Sequence, residues 1–201
     1  MPGRIFLAAT LGELAEAFAA DAGLATGFVP PPEAAAGDRL LAVVANPRRI
    51  LSVRWGLIPM GRTNARGRPV MDTFVNARSE ALFAKSAFAN LRRALLPVSG
   101  WYEWTGERQN KTRWALRAPD RAVIAFAAVW DVWQAPCGAE AASLATVTCA
   151  PNAEVAAVHD RMPVILAAAD WSLWLGETDG DPARLLRPVP DGSLSVAASG
   201  Q

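Results

Sequence analysis

The sequence predicts an α+β domain built on a curved, mostly antiparallel β-sheet. Three observations lead there. Many short apolar segments of strand length are separated by turn residues. Fewer helix-length segments are interspersed among them. The composition, 52% hydrophobic and 19% charged over 201 residues, suits a packed core and argues against wholesale disorder. No internal repeat is visible, and no domain boundary is expected before about residue 176. Residues 1–176 are read as the domain and residues 177–201, rich in Gly, Asp, Pro and Ser, as a loosely attached tail.

The elements follow in chain order. Residues 4–7 read as a short strand. Thr10-Leu11-Gly12-Glu13 is a capping box, since the Thr10 hydroxyl and the Glu13 carboxylate can each satisfy a free donor of the other's turn. Leu11, Leu14, Ala15 and Phe18 then share one helical face, with Gly23 as the expected stop. Pro30-Pro31-Pro32 is a stiff link. Residues 39–45 and 49–55 read as strands joined by a turn at Asn46-Pro47. Residues 61–69 are polar and should form a loop. Residues 79–91 read as a helix anchored by Leu82, Phe83 and Phe88. Strands are expected at 94–98, 101–105, 112–116, 122–129 and 143–149, a short helix at 152–158, and a last helix capped by Asp170 that carries Trp171, Leu173, Trp174 and Leu175.

Charge limits the partners. The net charge is +1, so any nucleic-acid binding must come from a local patch. Lys85 and Lys111 are the only lysines; every other cation is an arginine, whose planar fork suits phosphate and stacks on rings. Arg54, Arg62, Arg66, Arg68 and Arg78 face a single acid, Asp72, within one stretch that also holds Trp55. Arginines beside an exposed aromatic can track a phosphate backbone and stack on unpaired bases, although a solvated loop has the same composition. The two cysteines, Cys137 and Cys149, form neither a disulfide framework nor a CxxC pair. The start of the chain lacks a signal-peptide pattern, and no apolar run approaches the ~18 residues of a membrane span. A cytoplasmic protein is expected. Without a P-loop, GxGxxG or GxSxG, the nucleotide hydrolases, dinucleotide enzymes and α/β-hydrolases lose their main support.

Four positions can carry chemistry. His159, the only histidine, sits beside Asp160 and Arg161; it is either a structural histidine or a proton carrier near neutral pH. With no second histidine and no clustered cysteines, no metal site is expected, and no cofactor. Glu103 lies in Gly100-Trp101-Tyr102-Glu103-Trp104, where three aromatics would desolvate its carboxyl and raise its pKa, unless strand alternation simply turns it outward. Asn76 and Arg78 precede a predicted helix start, which favours anions but is also what an ordinary cap at Ser79 would look like.

These pieces come in one order: Met1-Pro2-Gly3-Arg4; Trp55-Gly56-Leu57-Ile58-Pro59; Asn76-Ala77-Arg78-Ser79-Glu80; Leu96-Pro97-Val98-Ser99-Gly100-Trp101-Tyr102-Glu103-Trp104; and Thr148, Asn152 and His159-Asp160-Arg161-Met162-Pro163-Val164. The series resembles the SOS-response-associated peptidase family of abasic-site processing proteins across residues 1–175. Each motif is weak alone, while five in order are specific.

The resemblance implies a barrel-like fold with flanking helices and a cationic groove for single-stranded DNA containing abasic sites. It also implies self-removal of Met1 and covalent capture of the abasic aldehyde by the exposed N-terminal cysteine as a thiazolidine. By matching motifs, Asn76 would position the N-terminal residue, Glu103 and His159 would handle protons, and Arg4, Arg78 and Arg161 would hold phosphates. Thr148 and Trp55 would complete the DNA-binding set. A monomer is expected. The departure is Pro2, where the family has cysteine: without a thiol no thiazolidine can close. A second departure is Phe28-Val29-Pro30-Pro31, where the family tends to have an aromatic, Asn and Ala-Pro.

Three readings of Pro2 stay open: transient iminium chemistry and strand cleavage by its secondary amine, a binding module without chemistry, or a replacement introduced to disable the protein. An unrelated ligand-binding barrel is the alternative of a different class.

Overall fold

The computed structural model describes residues 2–58, 73–83, 91–107, 110–134 and 138–200. Its centre is a closed barrel of five strands: β3 (Arg39–Val44), β4 (Arg49–Trp55), β6 (Arg92–Val98), β9 (Ile124–Gln134) and β10 (Glu140–Cys149). β3 joins β4 and β6, β6 joins β9, β9 joins β10, and β10 closes the ring on β4; the last junction alone is parallel. The sequence explains the strands. β6 and β9 are near-continuous apolar runs buried on both faces, as expected of strands at the centre of a fold. The chain bends from β3 to β4 at Asn46, which has a positive φ, and at the cis bond to Pro47.

A second sheet of five strands lies alongside, in the order β13 (Ser195–Ser199), β8 (Thr112–Arg117), β7 (Gly100–Thr105), β1 (Arg4–Phe6) and β2 (Glu33–Ala35). Gly100 admits a close approach here: a Cβ would meet the Leu116 carbonyl oxygen at 2.4 Å and the Phe6 ring at 2.5 Å. One apolar cluster, from Ile5 to Leu194, joins both sheets, with Trp55, Trp101, Trp174, Phe18 and Phe126 wholly buried.

α1 (Leu11–Phe18) carries the expected capping box and buries Leu14 and Phe18, but it stops at Ala19 in a left-handed conformation, not at Gly23. Bonds from the Ala19 N–H to Glu16 and from the Ala20 N–H to Ala15 close the turn early, and Gly23 opens a separate one-turn helix. In α2 (Ser79–Leu82) Leu82 is buried, whereas Phe83, an expected anchor, is 55% exposed; Phe88 and most of that predicted helix lie outside the described residues, as does the loop at 61–69. α4 (Trp171–Leu175) starts from a 3₁₀ turn at Ala168–Asp170, and Asp170 makes no side-chain cap.

The tail corrects the expectation of loose attachment. β13 pairs with β8 over five residue pairs, from Ser195–Arg117 to Ser199–Arg113, and Leu185 and Leu194 are buried. Its Gly, Pro and Asp residues make turns between these anchors. Among the described residues no helix is long and apolar enough to cross a membrane.

Candidate active site

The site forms where β10 outruns the barrel. Past its pairing with β4, β10 takes β5 (Asn76–Arg78) on one edge, in parallel register Thr146–Asn76 and Thr148–Arg78. On the other edge it takes β11 (Met162–Pro163), with Thr148 opposite Pro163. Two segments distant in sequence, the Asn76 strand and the His159 loop, are thereby fixed on either side of one strand end.

The start of the chain enters between them. Pro2 is buried, and Asn76 Nδ2 donates to the Pro2 carbonyl at 3.1 Å. Asn76 Oδ1 is also buried and accepts no hydrogen bond among the described residues. β1 runs antiparallel to β7 with Arg4 opposite Tyr102, a register that brings Gly3 level with Glu103. Glu103 points inward, 4% exposed. Burial pushes its carboxyl above the usual range, against the opposing pull of the positive charge at the chain's amino terminus and of His159.

His159 follows α3 (Ala153–Ala156), which begins at Asn152, whose side chain accepts from the Val155 N–H at 3.1 Å. The His159 N–H donates to Val155 O at 2.8 Å, which holds the ring over the site. Nε2 stands 3.9 Å from Glu103 Oε2. Nδ1 lies 3.0 Å from the Arg161 N–H and 2.8 Å from Asp160 Oδ1. It cannot accept from the first and donate to the second at once. A ring that accepts at Nδ1 from the Arg161 N–H carries its proton on Nε2, the nitrogen nearer Glu103. A buried carboxyl and an imidazole 3.9 Å apart beside the chain's start are groups that can give and take protons.

The remaining site residues fall into three groups. Arg78 is exposed and, two residues after Asn76 on one strand, projects to the same side. Arg161 is largely committed: it grips both oxygens of Glu80, at 2.6 and 2.9 Å, and the Thr148 carbonyl at 2.6 Å. This pairing lowers the Glu80 carboxyl to about 2. Arg4 is exposed and paired with Glu33 at 3.0 Å.

Two expected DNA contacts are buried. Thr148 has no exposed surface, and its hydroxyl reaches the Ala77 carbonyl at 3.5 Å, so it supports β5 from below. Trp55 is likewise fully buried, and its indole donates to Val75 O at 3.2 Å, one residue before Asn76. It braces the strand and presents no face for a base to stack on. Arg62, Arg66 and Arg68 lie outside the described residues.

Glu80 is the residue that sequence reasoning missed. It stood in the quoted motif, but its grip on Arg161, 81 positions away, has no local signature. Cys149 offers no substitute thiol: it is buried and burial pushes its pKa up to about 11.

Comparisons with known proteins follow the same outline. A family model described as SOS response associated peptidase (SRAP) matches residues 1–198. The chain is 29% identical over 189 residues to the abasic site processing protein YoqW of Bacillus subtilis, covering 90% of this chain and 83% of that one. It is 25% identical over 169 residues to abasic site processing protein HMCES of Xenopus tropicalis, where the match takes in 71% of this chain and 50% of the relative. Among solved structures, a Bacteroides thetaiotaomicron protein superposes with TM-score 0.85 at 20% identity, over 97% of this chain and 90% of the other. A Bordetella bronchiseptica protein does so with TM-score 0.82 at 22% identity, over 99% and 100%.

Proposed function

The chain belongs to the SOS response associated peptidase family, and from that premise we propose that it processes abasic sites in single-stranded DNA through the secondary amine of Pro2, by transient iminium chemistry. The supporting observation is the convergence of the chain's start with Asn76, Glu103 and His159. That the relatives are abasic site processing proteins supplies the substrate.

Removal of Met1 exposes the Pro2 nitrogen. The nitrogen attacks the C1′ aldehyde of the ring-opened abasic sugar, and loss of water leaves an iminium cation. With no thiol on Pro2, nothing adds to that iminium to close a stable ring. The cation acidifies the C2′ hydrogens instead. In this reading one of the pair Glu103 and His159 takes the C2′ proton and the other manages protons on the sugar oxygens, which their 3.9 Å separation supports. Loss of the C2′ proton leaves an enamine; the C3′–O bond then breaks, its electron pair leaving on the phosphate oxygen, while the enamine electrons form the C2′–C3′ double bond and restore the iminium. Water hydrolyses the iminium and returns the Pro2 amine. Asn76 orients the reacting residue by its bond to the Pro2 carbonyl, while Arg78 holds a phosphate, and Arg4 and Arg161 join it when they exchange Glu33 and Glu80 for the strand.

Borohydride trapping on an abasic single strand, with the N-terminus checked by mass, tests the reading. A reductant-dependent adduct at Pro2 and cleaved strand are expected. A free Pro2 that gives no trapped species ends the lyase reading and leaves a module that shields the strand. A heat-stable adduct without reductant overturns the claim that the missing thiol forbids a stable crosslink.

A further inference from the structure

The sheet that carries Glu103 has a second face. Along β1, β7 and β8, Ile5, Trp101, Glu103 and Leu116 point into the core, at 4% exposure or less. The alternate positions therefore point outward: Arg4 and Phe6 on β1, Tyr102 and Trp104 on β7, Arg113 and Arg117 on β8.

On this outer face the rings form a continuous row. Phe6 and Tyr102 lie 4.9 Å apart between centroids, and Tyr102 and Trp104 lie 6.3 Å apart. Arg113 lies over the Tyr102 ring at 3.6 Å and Arg117 over Phe6 at 5.5 Å. Phe6 and Trp104 are partly exposed and stand outside the core cluster. Small residues, Gly100, Ala115 and Ala197, keep the rest of the face low. At the Phe6 end the row opens into a depression of about 540 Å³ that is lined by Phe6, Ser99, Arg117 and Arg121, with one acid, Asp120, between the two arginines.

Glu33 neutralises much of Arg4 and Arg113, its two partners. Arg117 and Arg121 are exposed, with no carboxylate partner among the described residues. Cross-strand pairing alone accounts for the ring contacts. It does not account for two exposed guanidiniums at the end of an aromatic row. Planar faces interleaved with guanidiniums are what a single nucleic-acid strand needs, since bases stack on rings and on guanidinium planes while phosphates take the cations.

We propose that the outer face of the five-stranded sheet is a second contact surface for single-stranded nucleic acid, with Phe6 and Trp104 meeting bases and Arg117 and Arg121 meeting phosphates. The choice of nucleic acid over an acidic peptide rests on the DNA substrate proposed above; the surface itself does not require Pro2 to react.

The test measures binding of intact strands of about 6 and about 30 nucleotides by wild type and by Arg117→Glu/Arg121→Glu, at several salt concentrations. The double variant should bind the long strand roughly tenfold more weakly. Its slope of log K against log salt should be shallower by about 1.4, two phosphates at ~0.7 each. Short-strand binding and borohydride trapping on a short abasic strand should not change. Unchanged long-strand affinity overturns the proposal, and so does duplex that competes as well as single strand.

Photo-crosslinking of an iodouracil strand to the wild-type protein covers the case of a variant that fails to fold. Crosslinks at Phe6, Trp104 or within residues 113–117 support the surface, and crosslinks confined to other positions, the Glu103 site included, overturn it. Failed trapping with crosslinks on the sheet would sink the Pro2 reading and leave this one standing.

Discussion

Glu103 ties the proposed reaction to stability. Its carboxyl is raised by burial, so the folded state holds the proton more tightly than the unfolded chain does. Its contribution is most favourable below the ordinary carboxylate range and is lost as pH rises through the elevated folded value. Glu103→Gln should therefore melt higher than wild type at pH 7, with the gap closing toward pH 4 in a thermal scan. Strand cleavage should meanwhile fall about 10²- to 10⁴-fold, as expected for loss of an acid–base group. Glu80 works with the opposite sign. Held at about 2 by Arg161, it stabilises above the ordinary carboxylate range, and that stability fades as pH falls toward 2. Its side chain is 61% exposed, so solvent screening limits the effect to about 1 kcal/mol or less. Glu80→Gln should cost little stability and free Arg161, and titrations on short strands should then show tighter, more salt-dependent binding. Unchanged affinity would mean that Arg161 serves the fold alone.

Among the elements, the strands were more legible than the helices. Runs such as Ile124-Ala125-Phe126-Ala127-Ala128-Val129-Trp130 have only one place to go, the interior, although this strand runs on to Gln134 past its expected end at 129. The helices are short, and their ends depend on which backbone bonds close first, as α1 shows by stopping at Ala19. The tail was misjudged because its apolar anchors are sparse: Leu185 and Leu194 stand among Gly, Asp and Pro, and pairing with β8 leaves no periodic signal in a strand as small as Ser195–Ser199. Leu194→Ala should cost about 2–4 kcal/mol in denaturant unfolding, the range for a buried leucine. A loose tail would lose almost nothing.

For the whole molecule, the net charge of +1 means that affinity for DNA must be local. If Arg78 neutralises one phosphate while Arg4 and Arg161 stay with Glu33 and Glu80, log K for a short strand should fall with log salt at a slope near −0.7, at ~0.7 per phosphate, and steepen toward about −2 as those pairs open. A slope near zero would remove the cationic site. The closed barrel supplies the rigidity that such a site needs. β10 is held by β9, β4, β5 and β11, so the groups fixed to its end keep their spacing.

The sequence by itself determined the fold class, the family resemblance, the candidate acid–base pair and the absence of a thiol at Pro2, because each rests on residue type and order. Tertiary structure decided which candidates meet. It drew Pro2 to Asn76 across 74 positions and committed Arg161 to Glu80. It also buried Trp55 and Thr148, which the motifs had offered to DNA. The physical reason is that exposure and ion pairing are settled by strand register and barrel closure, contacts between segments far apart in the chain, which local patterns of hydrophobicity and charge do not encode.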